Sequence, residues 1–437
     1  MFLDESAAAA LLSRALSLSK AQGCAVSLTG GEEQSLRFAR GTATTNIAGS
    51  DATLRISSHI DDAIGSASTS SLDDASISAA VARSEEIARL LPPDPDYVAP
   101  LGPQNYAASR RYDEATGLLR LDALAQAAGE AIDEGARRGV DTFGFAASRR
   151  RFDAMATSAG LFGYDRASEI DFAVTARTKG DTWSGWASAS HIAAADLDAA
   201  AVARRACAKA AQDAAPVDLD PGNYTVLLEP AASAELLRYV MTALDARAMD
   251  EGRSFYAGKS GAMFDGKLSL LSGPDDALAP EGAIGWEGVP HRPRAWISGG
   301  QAESFYRSRA YAQKSGGDVV PFPRHFSAAG GATPVDEMIR SVTRGVLVTR
   351  FWYSNMVDPR SLLVTGLTRD GNFLIENGRI VAPVKNMRFN QSLGAAFANI
   401  AALGSSERVK PDSSASAVGA PAMLLENFCF SSRSSGI

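Results

Sequence analysis

The chain has 437 residues, enough to bury more than one core, and its 46% hydrophobic and 21% charged content is that of an ordinary globular protein. A net charge of −7 gives no general attraction to nucleic acid, which calls for a basic face. Three cysteines (Cys24, Cys207, Cys429) show no paired spacing and are expected as reduced thiols.

In chain order, the acidic start MFLDESAAAALLSRAL reads as an N-capped amphipathic helix over Asp4 to Gln22, not a signal peptide. No run approaches the roughly 20 apolar residues of a membrane span. A cytoplasmic protein with no membrane or nucleic-acid partner is the expectation. Cys24 to Leu28, Ser35 to Ala39 and Ala52 to Ser57 alternate at period two and predict strands separated by glycine-containing turns. Gly65 to Ser71 (GSASTSS) is expected to cap a helix over Leu72 to Leu91, and the proline-rich stretch 92–103 ends that unit. A second cycle follows, with a helix at Leu118 to Arg138 and strands at Thr142 to Ala147, Arg150 to Thr157 and Asp171 to Thr178. An alanine-rich helix at Asp196 to Asp213 closes it.

The prolines and glycine between Ala215 and Gly222 place a domain boundary there, predicting domains over 1–215 and 216–437. The second domain opens with a buried strand, Tyr224 to Leu228. A helix then begins at Glu229-Pro230 and continues through Leu236, Leu237, Val240 and Leu244. Val342 to Tyr353 is the strongest β run and predicts a central strand. Asn377-Gly378 lies between two short apolar runs and predicts a type I′ hairpin. Arg369-Asp370-Gly371 reads as a turn opening its first strand, and Pro383 puts the return strand at an edge or bulge. Ser392 to Ala402 is expected to be helical with Gly404 as its stop, and Ser405 to Ser416 a polar surface loop. The fold class is α+β, with helices on an antiparallel sheet in the first domain and a β-rich second domain.

No Gly-x-Ser-x-Gly elbow, Walker sequence or Rossmann fingerprint is present. His59, His191, His291 and His325 show no ligand spacing and are expected as satisfied single groups. Arg149-Arg150-Arg151 reads as the solvated end of a strand.

Several blocks resemble the TldD/TldE (PmbA, modulator of gyrase) metallopeptidase family. They are TSAGLFGYDR from Thr157, ARAMDEGRSFYAGKSG from Ala246, EGVPHRPRAWISGG from Glu287, the LIENG turn with IVAPVKNMRF, and the final strand Ala422 to Phe428. Their order extends the resemblance over nearly the whole chain. It implies a TldD/PmbA-type carboxy-terminal domain and, in active members, zinc held by HExxxH on that domain's first helix. Two imidazoles would bind the metal and a glutamate would take the proton of metal-bound water. Here Arg238, Tyr239 and Ala243 occupy those positions, and Cys429 lies too late in the chain for the family's cysteine ligand. The resemblance therefore implies a TldE-like member with no catalytic, metal or cofactor residues of its own. Its partner would be a TldD-like HExxxH homologue that carries the zinc and processes or degrades unfolded or modified peptides. A stand-alone hydrolase with an unrecognised site, or a metal-free peptide-binding homo-oligomer, are the alternatives. Arg369, Asp370, Glu376 and Asn377 are the candidates for peptide or interface contact.

Overall fold

The computed structural model describes residues 1–180, 182–411 and 416–434. Its first half is a six-stranded antiparallel sheet in the order β3-β2-β1-β4-β5-β6. The strands are β1 (Gly23–Ala39), β2 (Thr42–Ile60), β3 (Ala63–Thr69), β4 (Val140–Thr157), β5 (Phe162–Thr178) and β6 (Ser184–His191). Side chains alternate across a pleated strand, so each of these strands has two environments. Val26 and Leu28 of β1, Leu54 and Ile56 of β2, and Phe152 and Ala154 of β4 form one core. That core lies under α1 (Glu5–Leu18) and α2 (Asp74–Leu90). Farther along the same face, Leu36, Phe38, Phe172 and Val174 pack against α3 (Leu121–Arg138) and α4 (Ala199–Ala210). The opposite face carries the polar members of the alternation and is turned toward the second half of the chain.

The strands are longer than their periodicity predicted. Gly30 and Gly31 do not break β1, because a Cβ at either would meet neighbouring strand atoms within 3 Å; these are close-approach glycines, not turn glycines. Gly65 to Thr69 of GSASTSS fall in β3 instead of capping a helix, and Asp73 caps α2, its carboxylate accepting from the Ser76 N–H. Arg149 to Arg151 lie in the middle of β4, not at its end. Cross-strand register sets Arg149 beside Glu33 (2.9 Å) and Arg150 beside Glu32 (2.6 Å), which explains three successive cations in a partly buried strand.

The second half begins with β7 (Gly222–Leu228) and α5 (Pro230–Thr242) and builds an eleven-stranded mixed sheet. The path is β10-β9-β8-β11-β17-β15-β13-β12-β7, with β14 on β13 and β16 on β17. These strands are β8 (Leu270–Ser272), β9 (Arg294–Ser298), β10 (Gln301–Ala302), β11 (Phe326–Ala328), β12 (Arg344–Asp358), β13 (Leu363–Glu376), β14 (Arg379–Pro383), β15 (Met387–Ser392), β16 (Ile400–Val409) and β17 (Val418–Arg433). As expected, β12 is internal, parallel to β7 and antiparallel to β13. The hairpin between β13 and β14 turns on Asn377 (φ 49°) and Gly378 (φ 75°), two positive-φ residues as a type I′ turn requires.

Three expectations fail here. Arg369-Asp370-Gly371 is not a turn. It is a bulge inside β13, where the pairing with β12 shifts between Val348 and Arg350 while Asp370 (φ 50°) and Gly371 (φ 108°) take left-handed conformations. The helix after β15 is one turn long, Leu393–Phe397, and Ile400 onward is strand β16. Gly404 thus lies within a strand, and Ser406 to Val409 pair with β17 instead of forming a loop; residues 412–415 of that expected loop fall outside the described residues.

Candidate functional site

Glu229 and Pro230 open α5 as the sequence suggests, with proline in the first turn, where its missing N–H costs nothing. The helix is then buried on nearly every side, with Leu236, Leu237 and Val240 fully covered. Arg238 is directed to Glu235 (3.7 Å). Tyr239 donates its hydroxyl to the Ser354 carbonyl at 2.6 Å, and burial pushes its pKa to about 12. Ala243 is the C-cap. A guanidinium, a neutral phenol and a methyl cannot replace two imidazoles and a carboxylate, so zinc of the HExxxH type does not fit this helix. Among the described residues no three His, Cys, Asp or Glu side chains are grouped to hold a metal ion. Cys429 directs its backbone N–H to Gln391 Oε1 (2.8 Å), and its thiol stands among no such group.

The hairpin candidates separate. Asp370 is 3% exposed. Burial raises its pKa, but pairing with Arg350, the Ser184 hydroxyl and Arg369 outweighs burial and holds it below the ordinary value. It is therefore an internal ion, joined to the first sheet by Ser184. Arg369 lies over the Trp352 ring, 3.9 Å from its centroid. Glu376 faces Arg344 across β12 (3.7 Å), and Asn377 is exposed at the turn, its N–H given to the Thr343 carbonyl.

A different region forms a large concavity. The polar face of the first sheet and three loops of the second half enclose a cavity of about 1180 Å³. Arg151 and Asp153 of β4, Asp165 and Glu169 of β5, and Arg55 and His59 of β2 supply its sheet wall. No residue of α5 lines it.

The opposite wall brings together residues that the sequence left scattered. Glu281 is 2% exposed and accepts the His325 backbone N–H at 2.7 Å; its other oxygen is 3.6 Å from His291 Nε2. Burial raises the Glu281 pKa to about 7 against the pull of backbone N–H groups and Arg111. Burial, reinforced by Arg111 and Arg324, holds His291 at about 4 and therefore neutral. Arg111, from the segment before α3, meets Asp165 Oδ2 at 3.4 Å, while Asp165 also accepts from Ser109 Oγ (2.7 Å) and the Ala283 N–H (3.1 Å). Arg408 and Lys410 arrive from β16 and the residue beyond its end and pair with Glu169. Trp286, 68% exposed, stands at the tip of the 284–290 loop, which Tyr106 ties to the first half by donating to the Gly288 carbonyl (2.7 Å).

None of Arg111, Asp165, Glu281 or Arg408 was singled out from the sequence, and His291 and His325 were expected as isolated groups. The available signal was slight: one carboxylate between Pro280 and Gly282, and two histidines each next to a basic residue. These groups titrate and pair in a solvent-reached enclosure. They can bind charged and hydrogen-bonding groups of a ligand, and Glu281 can exchange a proton near neutrality.

Domain descriptions of one family match most of the chain: PmbA/TldA metallopeptidase domain 1 over residues 24–88, its central domain over 106–213 and its C-terminal domain over 221–432. The comparison with curated proteins gives no match. Among solved structures, TldE from Thermococcus kodakarensis superposes with a TM-score of 0.85 at 16% identity, over 97% of this chain and 99% of that one. A protein described as a modulator of DNA gyrase from Bacteroides thetaiotaomicron gives 0.83 at 21% identity, over 99% of this chain and 100% of the other. A similarly described Thermotoga maritima protein gives 0.83 at 17% identity, over 96% and 99%. At these identities the likeness is one of fold.

Proposed function

The chain belongs to the PmbA/TldD metallopeptidase family, and from that premise we propose that it is a TldE-like, non-catalytic subunit of a heteromeric zinc metallopeptidase acting on unfolded or modified peptides. One observation carries the reading: the helix that should present HExxxH presents Arg238, Tyr239 and Ala243, and the first two are engaged with Glu235 and the Ser354 carbonyl. A zinc-bearing, TldD-like homologue supplies the catalytic metal in this reading. This chain supplies surface and part of the enclosure that holds the peptide. Extended peptides are held largely by backbone pairing and by charged groups at their ends, which suits a cavity of this size and polarity. No helix among the described residues is long and apolar enough to cross a membrane, and we place the assembly in the cytoplasm.

The test is metal content and activity of the chain by itself. Elemental analysis of purified protein should find no stoichiometric zinc, and unfolded peptides should remain intact. One zinc per chain, removed by chelator together with peptidase activity, would overturn the reading.

A second reading, a stand-alone hydrolase, is favoured by the Glu281–His291 pair within the cavity. It calls for chelator-insensitive peptide hydrolysis by the chain alone, abolished in Glu281→Gln.

A further inference from the structure

We propose that the cavity contains a carboxylate-binding subsite built from Arg111, Arg324, His325 and Arg408, which takes the carboxylate of a bound peptide; this rests on the peptide-handling reading above.

The geometry around His325 suits an oxygen acceptor. The Ala417 backbone N–H, which can only donate, is directed at His325 Nδ1 at 3.1 Å. An imidazole that accepts at Nδ1 carries its proton on Nε2. His325 Nε2 faces Arg111 NH2 at 3.4 Å, and a guanidinium has no acceptor. Two donors thus converge without an acceptor between them. The ring stays neutral, because burial and then the charges of Arg111, Arg408 and Arg324 hold its pKa well below the ordinary value.

A second, independent observation gives the same sign. Arg408 is mostly buried; its terminal nitrogens reach the Leu278 carbonyl (2.9 Å) and Glu169 (3.5 Å), but its buried Nε has no partner among the described residues. Arg324 is exposed within the cavity, and no ion pair or hydrogen bond engages its guanidinium among the described residues. The nearest carboxylate to Arg111, Asp165, is shared with Ser109 and Ala283. Water can supply one oxygen to such a site. Three guanidinium groups and an imidazole N–H favour an anionic, two-oxygen acceptor, since charge-assisted and forked hydrogen bonds are the stronger ones.

The test uses the full chain and three synthetic peptides of one neutral sequence. One ends in a free carboxylate, one in an amide, and one in an amide with a single internal glutamate; binding is followed by calorimetry. The free acid should bind about tenfold or more tighter than the plain amide. Equal gain by the glutamate peptide would assign the site to side-chain carboxylates, and no gain would assign it to the peptide terminus. Arg324→Gln, which breaks no hydrogen bond or ion pair among the described residues, should reduce the preference. His325→Asn, which keeps an acceptor for the Ala417 N–H while removing Nε2–H, should reduce it as well, with thermal melts confirming that both variants fold. Equal binding of acid and amide, binding of neither, or a preference unchanged in both variants would overturn the proposal. Mixing with an HExxxH homologue is scored separately. An active mixed complex that ignores the terminal carboxylate would defeat this subsite and leave the subunit reading standing.

Discussion

Ser184 Oγ donates a 2.5 Å hydrogen bond to Asp370 Oδ1, joining the last strand of the first sheet to the bulge in β13 of the second. The same carboxylate pairs with Arg350, whose guanidinium also stacks on Trp186 of β6 at 4.7 Å. Nearby, Lys209 of α4 pairs with Glu229 at the N-cap of α5 (2.6 Å). The edge of the first sheet is therefore closed by buried ions of the second half, which fixes the wall of the cavity relative to its roof.

Replacing Asp370 by Asn should expose how much of that junction is ionic. Removing one partner of a buried pair costs about 3–5 kcal/mol, read as a lowered denaturant midpoint at pH 7. The native carboxyl is held below 3.8, its ordinary value. Its contribution is present above that value and is lost as pH falls through the folded one. The wild-type midpoint should drop as pH falls below about 3.8, and Asp370→Asn should drop less over the same window. Parallel profiles would contradict the assignment.

Glu281 should act at the other end of the pH scale. Its folded value of about 7 lies above the ordinary 4.5, so its contribution is complete below 4.5 and is lost as pH rises through 7. Stability should decline by about 3 kcal/mol between pH 4.5 and pH 8 from this group. Glu281→Gln should flatten that decline. A variant that retains the full slope would remove Glu281 as its source.

The β13–β14 turn gives a backbone test. A Cβ on Gly378 would stand 2.8 Å from the Arg340 carbonyl oxygen, at a φ of 75° that β-branched residues resist. Gly378→Val should cost about 1–3 kcal/mol. An unchanged denaturant midpoint would contradict it.

On α5, Tyr239→Phe should lower stability by about 1 kcal/mol through loss of the hydrogen bond to the Ser354 carbonyl. Metal content should stay as it is in the wild type. A gain of bound zinc on removing the hydroxyl would show that the phenol blocks a site instead of filling a structural role.

What the sequence made legible was local. Asn377-Gly378 could be read because a type I′ turn needs only two adjacent positive-φ residues, and Glu229-Pro230 because a helix start is written in its first turn. Asp370-Gly371 misled for the same reason. The residue types of a turn also suit a strand bulge, and only the pairing with Val348 and Arg350 distinguishes them. Ile400 fits the helical spacing of Leu393 and Phe397, yet it faces Leu425 of β17, a contact no local pattern records. The cavity was illegible throughout. Arg111, Asp165, Glu281, His325 and Arg408 come from five separate segments, and each is unremarkable until the two sheets face one another.

The central claim, that this chain is the non-catalytic half of a peptidase, is tested most directly by mixing it with its HExxxH-bearing homologue. Co-purification on a tag carried by the homologue, followed by an assay on unfolded peptide, reads partnership and activity together. The account predicts a mixed complex at micromolar concentration, burying on the order of 1,600 Å² or more, with peptidase activity that neither chain has alone. Separate elution of the two chains, with the homologue fully active by itself, would contradict it.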